Sequence, residues 1–133
     1  MSHVLIVEDE PLIRELIADE LHNHGYSVEV AQNGEEALHC LEQSRPDVIV
    51  LDLMLPVMHG WDFIERYGAR TAGGVIPIVV VSAAKAVPRS YEALGVCRFL
   101  AKPFRLDELA ASVRDLVSSP ANGTPSAAPI TQD

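Results

Sequence analysis

Short apolar runs alternate along the chain with longer stretches in which apolar residues recur every three or four positions. His3 to Val7 (HVLIV) is a β-branched run, and Glu8-Asp9-Glu10 stops it. Such a run predicts a strand buried on both faces. Pro11 suits the first turn of a helix. Leu12, Ile13, Leu16, Ile17 and Leu21 follow at helical spacing, an apolar stripe that predicts a helix closed near Gly25. Tyr26 to Ala31 (YSVEVA) alternates and predicts a second strand, nearer an edge. Asn33-Gly-Glu-Glu36 has the form of a capping box for a second helix carrying Ala37, Leu38 and Leu41. Arg45-Pro46-Asp47 breaks that helix.

Val48 to Leu53 (VIVLDL) is the most apolar strand candidate, interrupted by one charge, Asp52. Met54 to Gly60 reads as a loop. Trp61, Ile64 and Tyr67 mark a third helix, ended around Gly68 to Gly74, with Trp61 and Tyr67 as packing residues. Ile76 to Val81 (IPIVVV) predicts a fourth strand, followed by Ser82-Ala83-Ala84. Pro88 to Leu94 leaves room for a short helix before Gly95. Cys97 to Ala101 (CRFLA) predicts a fifth strand, ended by Lys102-Pro103. Leu106, Leu109, Ala110, Val113, Leu116 and Val117 stripe a last helix. Five β-α alternations imply an α/β fold, a (βα)5 doubly wound five-stranded parallel sheet with helices on both faces. The pattern defines one domain over residues 1–118. Residues 119–133 are rich in Pro, Ala and Ser and predict a disordered tail.

Composition and charge narrow the possibilities. The 133 residues suffice for one domain with one sizeable core. The net charge of −9, with ten scattered basic residues, argues against direct nucleic-acid binding. No apolar run approaches the ~20 residues of a membrane helix, so a cytoplasmic location is expected, without membrane insertion. Cys40 and Cys97 lack CxxC spacing and read as reduced thiols among apolar neighbours. His3, His22, His24, His39 and His59 lack metal-ligand spacing and read as non-functional.

In a doubly wound sheet, ligand chemistry gathers at the C-terminal ends of the strands. Those ends deliver Glu8 and Asp9, then Asp52, Ser82 and Lys102. Three carboxylates together are costly to desolvate. A divalent cation relieves that cost, and oxygen-only ligands suit Mg²⁺ or Mn²⁺. Lys102 offers a point charge for a phosphate. Ser82 offers a hydroxyl. A carboxylate is also a competent nucleophile toward phosphorus.

These residues carry a family resemblance. Glu8-Asp9-Glu10-Pro11, Asp52-Leu53-Met54-Leu55-Pro56 with Gly60, Ser82-Ala83 and Lys102-Pro103-Phe104 together resemble the receiver domain of two-component response regulators, over roughly residues 3–118. The resemblance implies the flavodoxin-like receiver fold, with Asp52 as phosphoacceptor. It implies that Glu8, Asp9, Asp52 and the Met54 carbonyl hold Mg²⁺ or Mn²⁺. It implies that Lys102 contacts the phosphoryl group, that Ser82 and Phe99 form the switch, and that the Lys102-Pro103 bond is cis. It implies a phosphorelay response regulator, a signalling module rather than an enzyme. Its donor would be a sensor histidine kinase or a histidine phosphotransfer protein. A downstream protein not specified by these motifs would read the conformational change, and homodimerisation is among the family's modes. Four departures stand out. Glu8 replaces a commoner Asp, Phe99 replaces Tyr, His59 sits where a small acidic or polar residue is common, and the segment from Ser82 to Lys102 is short.

Competing classes fit less well. An aspartyl-phosphate phosphohydrolase usually has a second Asp two residues after its nucleophile, where this chain has Met54. A flavodoxin-like cofactor binder needs a phosphate-cradling loop after the first strand, and Glu8-Asp9-Glu10 repels phosphate. A degenerate receiver used only for protein contact would lack the full residue set. The Met1 start and the tail suggest a stand-alone receiver, the alternative being a receiver fragment of a longer response regulator.

Overall fold

The computed structural model of the protein describes residues 2–53, 62–63, 65–66, 76–83 and 95–118. Five strands, β1 (His3–Val7), β2 (Ser27–Ala31), β3 (Val48–Asp52), β4 (Ile78–Ser82) and β5 (Val96–Ala101), form one parallel sheet in the order β2-β1-β3-β4-β5. Helices α1 (Pro11–Asn23), α2 (Gly34–Gln43) and α3 (Leu106–Ser118) accompany it. The chain leaves β1 toward β2 on one side and reaches β3 on the other. That reversal places a crevice at the C-terminal ends of β1 and β3.

The two faces bury separate cores. Leu5, Val7, Ile49, Leu51, Ile78 and Val80 meet Ala37 and Leu38 of α2 and the helical residue Phe63. Val4, Ile6, Val48, Val50, Val79 and Val81 meet Ile17 and Leu21 of α1 and Leu109 and Val113 of α3. β1, β3 and β4 are thus covered on both faces, which is why their sequences are unbroken apolar runs. Phe63, fully buried, was not singled out by the helical pattern. Trp61, Ile64, Tyr67, the short helix expected over Pro88–Leu94 and the tail 119–133 lie outside the described residues.

Local signals fix the helix ends. Gly25, at φ +94°, follows the helix as expected. Its N–H bonds the His22 carbonyl at 2.9 Å and the Tyr26 N–H bonds the Leu21 carbonyl at 3.2 Å, a Schellman closure. A Cβ at Gly25 would meet nothing within 4 Å, so the requirement for glycine there is conformational. Asn33 caps α2 by accepting from the Glu36 N–H at 2.9 Å. Glu36 reaches back one residue further than a capping box, to the Gln32 N–H at 2.8 Å.

Two features depart from the sequence pattern. Ile17 and Leu21 of the expected stripe are buried and Ile13 packs against them, but Leu12 is 66% and Leu16 46% exposed. β2 is an edge strand, so the flank of α1 above it lies uncovered, as does Val30. In β5 the pairing shifts register between Ile78 and Val79, whose partners are Val96 and Arg98. Cys97 is the extra residue, and this bulge puts Phe99 on the same face as Val96.

Candidate functional site

The ends of β1, β3 and β5 bring the expected acids and lysine together. Glu8 follows β1 and is 1% exposed, and Asp52 ends β3 at 2%. One oxygen from each of Glu8, Asp9 and Asp52 lies within 4.8 Å of the others. Lys102, just beyond β5, donates from Nζ to Asp52 Oδ2 at 2.9 Å and to Glu8 Oε1 at 3.4 Å. The Lys102-Pro103 peptide bond is cis, as the resemblance implied. The Lys102 N–H bonds the Ser82 carbonyl at 2.8 Å. Ser82 itself is fully buried at the end of β4. Phe99 lies one strand pairing from Val80, half-buried against the core. Met54 and His59 lie outside the described residues.

Electrostatics separates the members. Burial, then the charge of Asp52, pushes the Glu8 carboxyl up to about 7, against the opposing charge of Lys102. Burial by itself would lower Lys102, but the hydrogen bond to Asp52 and the charges of Asp52 and Glu8 outweigh it and raise its pKa. Lys102 therefore stays charged through the neutral range. The site holds an excess of buried negative charge and only hard oxygen donors among its carboxylates. That donor set fits a small divalent cation such as Mg²⁺ or Mn²⁺.

His3 contacts Ser27 Oγ and Glu29 Oε1, and His24 contacts Glu20 Oε2. Burial and the neighbouring Glu29 push the Cys40 thiol up to about 11, the mark of an unreactive cysteine. Neither Cys40 nor Cys97 is disulfide-bonded among the described residues. Sequence reasoning missed Arg14, whose Nη1 donates to the backbone carbonyls of Glu8 at 3.0 Å and Asp9 at 3.3 Å. Its one sequence signal is a cation close to a helix N-terminus, where the dipole disfavours it. No helix among the described residues is long and apolar enough to cross a membrane.

A 2-1-3-4-5 parallel sheet with three carboxylates and a lysine at its carboxyl edge defines a doubly wound α/β domain with an acidic, lysine-bridged centre. The chain belongs to the response regulator receiver domain family, whose model matches residues 4–114. It is 37% identical over 132 residues to the response regulator MprA of Mycolicibacterium vanbaalenii, covering 96% of this chain and 56% of that protein. It is 38% identical over 116 residues to MprA of Mycobacterium avium, covering 86% of this chain and 50% of that protein. The chain therefore spans about half the length of the curated relatives it matches. Among solved structures, the receiver domain of the Francisella response regulator 1452 aligns with a TM-score of 0.80 at 28% identity, covering 89% of this chain and 98% of that one. The chemotaxis response regulator CheY4 of Vibrio cholerae aligns with a TM-score of 0.78 at 31% identity, covering 87% and 98%. The domain is a signalling module of two-component phosphorelay systems.

Proposed function

We propose that Asp52 accepts a phosphoryl group from a phosphohistidine on a sensor histidine kinase or histidine phosphotransfer protein. The observation that carries this is the Lys102 ammonium, 2.9 Å from Asp52 Oδ2 at the C-terminal end of the central strand. An Asp52 carboxylate oxygen attacks phosphorus, and the P–N bond to the donor imidazole breaks with its electron pair leaving on nitrogen. The product is an acyl phosphate on Asp52 and a free histidine. Phosphoryl transfer needs mainly positioning and charge neutralisation. Lys102 supplies a fixed positive charge beside the acceptor, and Glu8 and Asp9 are the candidate ligands of Mg²⁺ or Mn²⁺, with Asp52 and the Met54 carbonyl. When bound, that cation would neutralise phosphoryl-oxygen charge. Ser82 ends β4, the strand paired with β3, and Phe99 lies in β5, one strand further out; they are the candidate switch residues. Water attack on the acyl phosphate would release inorganic phosphate and reset the domain.

On this reading residues 1–118 form the receiver, residues 119–133 a Pro/Ala/Ser-rich tail, and the protein works in the cytoplasm. A phosphohydrolase is disfavoured because position 54 is Met, not a second acid. The test is incubation with a small phosphodonor and Mg²⁺, followed by hydroxylamine. An acyl phosphate is cleaved by hydroxylamine and a phosphoserine is not. A hydroxylamine-labile adduct supports the reading, whereas a stable adduct would move the chemistry to a hydroxyl such as Ser82.

A further inference from the structure

We infer that Arg14 is a positioning residue for the acidic site, a clamp that holds the turn between β1 and α1 so that Glu8 and Asp9 present their carboxylates together. The inference rests on reading that cluster as a cation site. Three observations carry it. Arg14 Nη1 bonds the backbone carbonyls of both acids, at 3.0 Å and 3.3 Å, rather than either side chain. The clamp therefore orients the acids and leaves their carboxylates free of the guanidinium. The turn it spans has no side-chain cap. Glu10, the N-cap of α1, makes no side-chain capping bond. The turn is otherwise tied by the Glu8 N–H to the Ala31 carbonyl at 3.0 Å, by the first helical bond from the Arg14 N–H to the Glu10 carbonyl at 2.9 Å, and through the Glu8 carboxylate, which accepts from Lys102 Nζ at 3.4 Å on Oε1 and from the Glu10 N–H at 3.2 Å on Oε2. The bonds through the Glu8 carboxylate use a group that the cation site also needs. Finally, Arg14 sits close to the helix N-terminus, against the dipole. Helical side chains lean toward the N-terminus, so its long stem lies back over Glu10 toward the turn.

Two physical effects of removing Arg14 have opposite signs. Loss of a positive charge near a cation site strengthens cation binding. Loss of the clamp weakens it, because the two acids then have to be ordered by the cation itself. The sign of the change therefore separates positioning from charge. The probe is Mn²⁺, titrated into the full chain and followed by the electron paramagnetic resonance signal of free Mn²⁺. Arg14→Met should bind Mn²⁺ about tenfold more weakly than the parent, the lower end of what loss of an orienting partner costs. Arg14→Lys keeps a donor and a charge, and should recover part of that loss. Urea unfolding without metal confirms that each variant is folded. A general loss of stability in a still-folded variant would not move its Mn²⁺ affinity. Unchanged or tighter binding in folded Arg14→Met overturns the clamp. If Arg14→Met does not fold, Arg14→Lys decides, and affinity equal to the parent together with unchanged stability overturns it. A parent chain that takes up no Mn²⁺ fails earlier and removes the cation-site reading, with the clamp alongside it.

Discussion

Lys102→Met should destabilise the metal-free protein by about 3 kcal/mol at pH 8, the lower end of what removing one partner of a buried ion pair costs. The lower end applies because the lysine side chain keeps 22% of its exposure, while the carboxylates of Glu8 and Asp52 keep 1% and 3%. Removing the ammonium leaves both acids buried with their main compensating charge gone. The raised pKa of Lys102 means that its contribution is fully present below the ordinary lysine pKa and disappears only as pH rises through the higher folded value. Across neutral pH the contribution is therefore constant on the lysine side. On the acid side it shrinks once Glu8, with its carboxyl pushed up to about 7, takes up a proton, so the deficit of Lys102→Met should narrow toward pH 5. Urea denaturation at pH 8 and pH 5 measures both values. Initial phosphoryl uptake from a small donor should fall about a hundredfold, the scale of losing one fixed group that stabilises developing charge. Equal stability and equal uptake in the variant would remove Lys102 from the site.

Glu8→Gln should have the opposite effect on the metal-free fold. The carboxyl of Glu8 ordinarily titrates near 4.5 and sits at about 7 in the folded protein. Below 4.5 both states hold the proton and the site costs nothing. Between the two values the unfolded chain is ionised while the folded chain keeps its proton, so stability falls as pH rises. Above 7 the full penalty applies, about 3 kcal/mol at ~1.4 kcal/mol per pKa unit. Gln has nearly the shape of the protonated acid and carries no charge. The variant should match the parent near pH 4.5 and exceed it by about 2–3 kcal/mol at pH 8. Saturating Mg²⁺ should erase that advantage, because the parent gains the linkage energy of a bound cation and the variant has lost one ligand. A parent and variant with parallel pH profiles would show that Glu8 is not the strained acid.

How legible the protein was in its sequence depended on how uniquely each pattern maps to a burial. β1 and β3 read clearly because strands covered on both faces leave no room for polar residues until the strand ends. Glu8, Asp52 and Lys102 were legible for the same reason, since each is the first charge after an apolar run, and Asp9 directly follows Glu8. The Schellman closure at Gly25 and the cap at Asn33 were legible as residue types with one favoured position. Leu12 and Leu16 were misread because five apolar residues on a helix define a broad stripe, and only the neighbouring strands decide which part is covered. Above an edge strand, the flank carrying these two leucines stays open. The bulge at Cys97 left no mark, because CRFLA alternates equally well with or without an extra residue. The direct bond from Lys102 to Glu8, and the near-complete burial of Glu8, follow from the meeting of residues just beyond the ends of β1 and β5, 94 positions apart. Arg14 was invisible because its partners are backbone carbonyls, which carry no residue identity.

On the proposed reading, the chemistry converges on the Asp52 carboxylate at the end of β3. The most direct measurement is the intact mass of the parent and of Asp52→Asn after incubation with a small phosphodonor and Mg²⁺. Near-ultraviolet circular dichroism verifies the fold of each. The parent should gain a single phosphoryl group, and Asp52→Asn should gain none. A folded parent that takes up nothing, or a folded Asp52→Asn that takes up as much as the parent, would contradict the assignment of Asp52 as the acceptor.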